Sequence, residues 1–220
     1  MKAIFITVRT GSKRFPQKCL QLVAGKRAIE RTIARAQQSK ETDIIVLCTI
    51  RLPDDDILQE IAIKNGVYCF RGNEHDVPDR WIEAVKHFGV HFFVSFDGED
   101  LLCCPELADL AFKQYENHRC EAIEAKNVPT GAFTFAFSRV GLEESIKAVP
   151  LEGVPKAVQR PEIRMTMDYP DDLLFFDNLY NNVENPTLHN VVEYLDKHPH
   201  VVLLNKHCQD LYLANQKQGV

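Results

Sequence analysis

Four cations crowd the stretch VRTGSKRFPQKCL, residues 8–20: Arg9, Lys13, Arg14 and Lys18. Gly11 and Ser12 separate the first two, and the apolar run AIFITV comes directly before. A glycine after a buried strand lets the backbone turn close to a ligand. Backbone N–H groups there, with the next helix N-terminus, attract anions. Guanidinium groups grip phosphate through paired bonds. The chemistry on offer is the holding of phosphate or polyphosphate. Neither common phosphate fingerprint, G-x-G-x-x-G or G-x-x-x-x-G-K-[ST], is present. Spacing by itself leaves a solvated basic loop as the other reading.

A second cluster has the opposite sign. DGED, residues 97–100, sets Asp97, Glu99 and Asp100 side by side. Such carboxylates repel one another unless a cation sits among them, or else they form a solvated turn capping the next helix. Asp168 closes the apolar segment IRMTMD. The histidines show no metal-ligand spacing, there is no G-x-S-x-G, and Trp81 falls on a helix as a core or interface residue. Cys19, beside the basic loop, reads as a small packed side chain.

These residues must be positioned by regular elements. AIFITV (3–8), DIIVLCTI (43–50), VYCFRG (67–72) and VHFFVSF (90–96) are continuous apolar runs, the pattern of strands buried on both faces. Helical spacing is predicted between them over 27–39, 54–66, 76–89 and 105–118. Strands alternating with helices over short loops imply an α/β fold with a mostly parallel sheet flanked by helices. Ligands of such sheets bind at the carboxyl ends of the strands, and the basic loop directly follows strand one. Further strands are predicted over 131–139 and 163–170, and helices over 171–183 and 189–199. Residues 148–162, with three prolines, read as loop.

The chain of 220 residues suits one domain, 1–220, with 45% apolar and 26% charged residues. A net charge of −5 argues against a nucleic-acid binder. No apolar run is long enough to insert into a membrane, and the N-terminus carries no signal-peptide pattern. Seven cysteines without a C-x-x-C pair point to reduced core thiols and a cytoplasmic protein.

R-x-G-S-K-R-x-P-x-K, residues 9–18, resembles the signature loop of sugar-nucleotide cytidylyltransferases. These are the CMP-sialate and CMP-Kdo synthetases and the spore-coat polysaccharide type. FRGNEHDVPDRW (70–81) is similar to the segment after strand three of the spore-coat type. RMTMDYPDDL (164–173) and HPHVVLLN (198–205) resemble the late strand–helix junction and the tail of the same group.

The resemblance implies a Rossmann-like nucleotide-diphospho-sugar transferase fold. It implies transfer of CMP from CTP to an acidic sugar, an ulosonic or nonulosonic acid, with Mg²⁺ and release of pyrophosphate. Arg14 and Lys18 would be catalytic. Val8, Arg9, Thr10, Gly11, Ser12, Thr49, Arg71, Gly72, Asp79, Arg80 and Asp97 would meet the nucleotide. Asp168 would bind metal with Glu99 or Asp100, and Lys126, Thr130 and Gly131 would meet the acceptor. The group also implies a homodimer paired through residues 132–162. The sequence departs from the family where G-D-x-P is usual: Glu99 stands in the aspartate's place and no proline follows at once. A phosphonate or sugar-phosphate acceptor therefore stays open, as does a nucleotide-binding protein without catalysis.

Overall fold

In the computed structural model, which describes residues 1–217, the chain opens with β1 (Lys2–Thr7) and a ribbon of β2 (Leu22–Val23) and β3 (Lys26–Arg27). Then follow α1 (Ala28–Ala36), β4 (Ile44–Ile50), α2 (Asp56–Lys64), β5 (Tyr68–Gly72), α3 (Val77–Phe88), β6 (Phe92–Asp97) and α4 (Pro105–His118). The second half carries β7 (Ala122–Glu124), β8 (Phe135–Ser138), α5 (Arg139–Glu143) and β9 (Val149–Pro150). It ends with α6 (Pro170–Asn182), α7 (Leu188–Lys197), α8 (Pro199–Val202) and α9 (Lys206–Lys217).

β1 lies between β4 and β6 and pairs with both in parallel. Both faces of its Ala3–Ile6 stretch are therefore shielded from water, which is why the run is apolar without alternation. The sheet order is β5-β4-β1-β6-β8-β7-β9. β5, β4, β1 and β6 are parallel, whereas β8 runs against both β6 and β7. Helices cover both faces. Ile29 and Ile33 of α1, Leu58 of α2, Phe112 of α4 and Phe175 of α6 build the larger core. Trp81, Ala84 and Val85 of α3 pack on Phe5 and Phe93 across the sheet. α3 begins where Asp76 accepts from Asp79 N at 2.9 Å, and it stops at Gly89 in a left-handed conformation.

Several expectations need correction. Residues 163–169 form no strand, and Pro170 already opens α6; a single bridge joins Thr130 to Arg164. Met165 N donates to Thr130 O at 2.7 Å and Met167 N to Glu99 O at 3.1 Å, so loops rather than a ladder satisfy this backbone. The strand predicted over 131–139 shortens to β8. Residues 132–162 supply β8 and β9 to the sheet. No helix N-terminus follows the basic loop. A single turn, Lys18–Leu20, and the β2–β3 ribbon intervene before α1, so no α-helix N-terminus adds to the anion site there.

The carboxyl ends of β1 and β6 meet closely. Gly98 N donates to Thr7 O at 2.8 Å, and a Cβ at Gly98 would lie 2.5 Å from Val8 Cβ. Gly98→Ala should therefore cost about 1–3 kcal/mol of stability through overpacking. Urea unfolding checks this, and an unchanged midpoint would show that the strand ends can separate freely.

Candidate active site

A cavity of about 460 Å³ opens above the carboxyl ends of β1 and β6. Val8, Arg9, Gly11, Ser12, Lys13, Arg14 and Lys18 line one side, and Asp97 and Glu99 another. Arg80, with Glu74, His75 and Val77, closes it from the direction of α3. The opening stretch and the acidic turn, far apart in sequence, thus face one space.

The loop after β1 is fixed from behind. Asp55 is buried and accepts from Thr10 N at 3.0 Å, from the Thr10 hydroxyl and from the Thr49 hydroxyl. Thr10 and Thr49 therefore point at this carboxylate and not into the cavity. Gly11 does not adopt a positive φ, so the turn is held by this anchor and needs no left-handed glycine. Sequence reasoning missed Asp55, because its partners lie on two other elements.

The acidic turn divides its carboxylates. Asp97 and Glu99 face the cavity. Asp100 is buried beneath them, with Thr134 donating to it at 3.5 Å. Burial, and then the nearby Glu99 charge, push the Asp97 carboxyl up to about 7. Burial also pushes Asp100 well above the usual carboxylate range, with Asp97 and Glu99 adding to it. Of the two candidates in this turn, Glu99 reaches the cavity and Asp100 does not.

Asp168 lies behind Lys18. Its Oδ1 accepts from Arg14 at 2.7 Å and from Lys18 at 3.0 Å, and its Oδ2 accepts from Arg164 at 2.9 Å. Burial alone would raise its pKa; Lys18, Arg14 and Arg164 outweigh that and hold it below the usual range. Lys18 also donates to Glu99 at 2.6 Å. Burial would lower the lysine pKa, but Glu99 and Asp168 raise it instead. The Arg14 guanidinium stacks between the rings of Tyr169 and Tyr212, 5.7 and 5.3 Å from their centroids.

Behind Asp168 is a buried network that the sequence did not reveal. Asp172, fully buried, accepts from Arg164 Nε at 3.0 Å, Asp168 N at 2.8 Å, Tyr169 N at 3.0 Å and Asn205 Nδ2 at 2.9 Å. Asp172 caps α6 and also sets the backbone at Asp168.

Other residues singled out in the sequence take supporting places. Arg71 donates to Ile50 O at 3.0 Å and pairs with Asp56 at 2.6 Å, away from the cavity. Gly72 is buried at the end of β5, and Asp79 accepts from Asn73 Nδ2 at 2.8 Å. These three shape the segment that delivers Arg80. Arg80 is buried, donates to the carbonyls of Asn73 and Glu74 at 2.8 and 3.4 Å, and has its pKa lowered chiefly by burial.

None of Lys126, Thr130 and Gly131 lines the large cavity. Lys126 is exposed and pairs with Glu124 at 2.9 Å. Thr130 borders a separate cavity of about 210 Å³ beside Arg164 and Asn205. Gly131 has φ +89° and presses on Met165, whose carbonyl oxygen would be 2.3 Å from a Cβ. His207, for which spacing showed no metal partner, donates to the Asp171 carboxylate at 2.9 Å and lies near Cys208; it ties α9 to the start of α6.

Mg²⁺ prefers a few carboxylate oxygens supplemented by phosphate oxygens. Glu99 and Asp168 share Lys18, and the Asp97 carboxyl stands beside Glu99 at the same cavity. This donor set fits a hard divalent cation.

A parallel sheet with a basic loop after its first strand and acids after the fourth is the frame of a nucleotidyltransferase, and the comparisons agree. The cytidylyltransferase family model matches residues 3–148, and the chain belongs to that family. An uncharacterised protein of Methanocaldococcus jannaschii is 27% identical over 231 residues, spanning 93% of this chain and 95% of its own. The spore coat polysaccharide biosynthesis protein SpsF of Bacillus subtilis is 29% identical over 130 residues, 57% of this chain and 54% of that protein. The 3-deoxy-manno-octulosonate cytidylyltransferase of Pelobacter propionicus is 28% identical over 109 residues, 49% of this chain and 42% of that enzyme. The matches to these last two thus span only about half of each relative's length. Among solved structures, a cytidylyltransferase from Leptospira borgpetersenii superposes with a TM-score of 0.78 at 23% identity, covering 91% of this chain and 96% of that one. The fold is also shared with CMP:2-keto-3-deoxy-manno-octonic acid synthetase complexed with CTP, at TM-score 0.62 and 16% identity over 82% of this chain and 99% of that one.

The buried network makes a prediction about the fold. Arg164→Ala leaves Asp172 and one side of Asp168 without their cation, and breaking a buried pair in this way costs about 3–5 kcal/mol. Denaturant unfolding should show a loss of that order. A loss below about 1 kcal/mol, the range of exposed pairs, would show that the network is not coupled to the fold.

Proposed function

We propose that the chain transfers CMP from CTP to a hydroxyl of an acidic sugar, an ulosonic or nonulosonic acid, and releases pyrophosphate. The observation that carries this is the single cavity in which five cations, Arg9, Lys13, Arg14, Lys18 and Arg80, face Asp97 and Glu99. Arg9, Lys13 and Arg80 would bind the triphosphate, and the Asp55–Thr10 anchor holds their loop in place. The acceptor oxygen forms a bond to the α-phosphorus as the bond to the β-phosphate oxygen breaks. Arg14 and Lys18 would offset the charge of the departing pyrophosphate. Glu99 and Asp168 would hold Mg²⁺, whose charge offsets that on the reacting phosphate. The acceptor would approach from residues 126–133, with Lys126, Thr130 and Gly131 on that side.

The relatives' names support the substrate class and a role in surface polysaccharide synthesis. Seven free cysteines support a reducing, cytoplasmic setting, and no helix among the described residues is long and apolar enough to cross a membrane.

Pyrophosphate release, measured across the four nucleoside triphosphates and a panel of acidic sugars with Mg²⁺, tests the reading. CTP with one ulosonic acid should respond. Asp168→Asn and Arg14→Ala should each lower kcat/KM by about 2–4 kcal/mol, the loss expected when a charge-stabilising group at a partly dry site is removed. Glu99→Asp should change rate or metal preference, whereas Asp100→Asn should act through stability. Silence in every well would favour a nucleotide-binding protein without catalysis.

The same reading includes a homodimer through residues 132–162. Exposed Phe135, Val140 and Val149 on that segment support it. Light scattering should return twice the chain mass, and a monomeric mass would remove this part.

A further inference from the structure

The two carboxylates assigned above to Mg²⁺ already share a cation. Lys18 Nζ stands 2.6 Å from Glu99 Oε1 and 3.0 Å from Asp168 Oδ1, distances of charge-assisted bonds. Glu99 comes from the turn after β6 and Asp168 from the extended segment before α6, so the ammonium joins two otherwise separate parts of the site. Lys18 is only 8% exposed, yet it borders the cavity that faces Arg9 and Arg80.

An ammonium and a divalent cation cannot both occupy the gap between these oxygens. At contact distance their repulsion is strong wherever water is scarce. The ammonium is, however, a compact charge on a flexible four-carbon stem. Polyphosphate in the adjoining cavity offers it oxygens that carry more charge than two carboxylates it must share.

We propose that Lys18 is the resident counter-ion of the metal position: it holds Glu99 and Asp168 together in the free protein, and yields that place to a divalent cation when nucleotide phosphates draw it into the cavity. The metal therefore binds the free protein poorly and enters with the nucleotide. The idea rests on the reading of Glu99 and Asp168 as metal ligands. Arg14 also donates to Asp168, at 2.7 Å, so removing the Lys18 charge still leaves that carboxylate a cationic partner.

Mn²⁺ binding to the nucleotide-free protein, followed by the loss of its free-ion EPR signal, tests the exchange. The wild type should bind only in the millimolar range. Lys18→Met keeps the stem and removes the charge, and should bind about tenfold more tightly or better, as expected when a like charge leaves contact distance. Lys18→Arg keeps the charge and should bind as weakly as the wild type. Asp168→Asn placed on Lys18→Met should abolish the gain. The exchange is overturned if folded Lys18→Met binds no better than the wild type. It is equally overturned if the wild type binds in the low micromolar range at a site lost in Asp168→Asn, a measurement that does not depend on Lys18→Met folding. The metal reading fails separately. Turnover that needs no divalent cation, or the same metal requirement in Glu99→Gln and Asp168→Asn, would remove it whatever Lys18 does.

Discussion

One carboxylate, that of Asp168, is shared by three cations from two distant stretches of chain, and the site depends on that sharing. Arg14 reaches it from the loop after β1, Lys18 from the next turn and Arg164 from the extended segment itself. A buried charge is costly unless its partners satisfy it, so a cation that leaves Asp168 has to be replaced by another. Through Lys18 the grip extends to Glu99 and the end of β6. Through Arg164 it extends to Asp172, which in turn sets the start of α6 and holds Asn205 ahead of α9. The parallel sheet brings the strand ends to one edge, and this ion network ties the segment that carries Asp168 to them.

Much of the frame was legible in the sequence because its cause is local. Continuous apolar runs became β1, β4, β5 and β6, and the spacing over 105–118 became α4 to the residue. The elements that were missed or misread depend on distant partners. β7 has three residues and exists because β8 runs beside it. IRMTMDYP alternates as a strand would, but its backbone meets Thr130 on one side and Glu99 on the other, so it stays a bridge between loops. α9 begins within LLNKHCQDLYL, where apolar and polar residues mix without a clear face, and Arg164, Tyr169 and Asp171 hold it.

The site divides in the same way. Charge and spacing revealed Arg9, Lys13, Arg14 and Lys18, and resemblance added Arg80, Glu99 and Asp168. Asp55, Arg164 and Asn205 were invisible because each acts through a partner many residues away. Spacing also could not say which of Glu99 and Asp100 faces the ligand. The structure orders them by burial: Asp100 turns under Gly131 and Thr134, while the longer Glu99 reaches up to Lys18. An extra methylene in place of the family's aspartate is what brings its carboxylate to an ammonium already bonded to Asp168.

The four cations of the opening stretch are therefore not equivalent. Arg14 and Lys18 are neutralised within the protein, by Asp168 and Glu99. Arg9 and Lys13 form no ion pair among the described residues, and Arg80 is held by carbonyl oxygens alone. Attraction for a polyphosphate falls first to the unpaired group, since a charge already paired gives little field beyond its partner. Arg14 and Lys18 become available only when something else takes over the carboxylates. Under the proposed function, the crowding of charge after β1 would serve two tasks in sequence, capture by the outer cations and then release of the inner ones onto the phosphates.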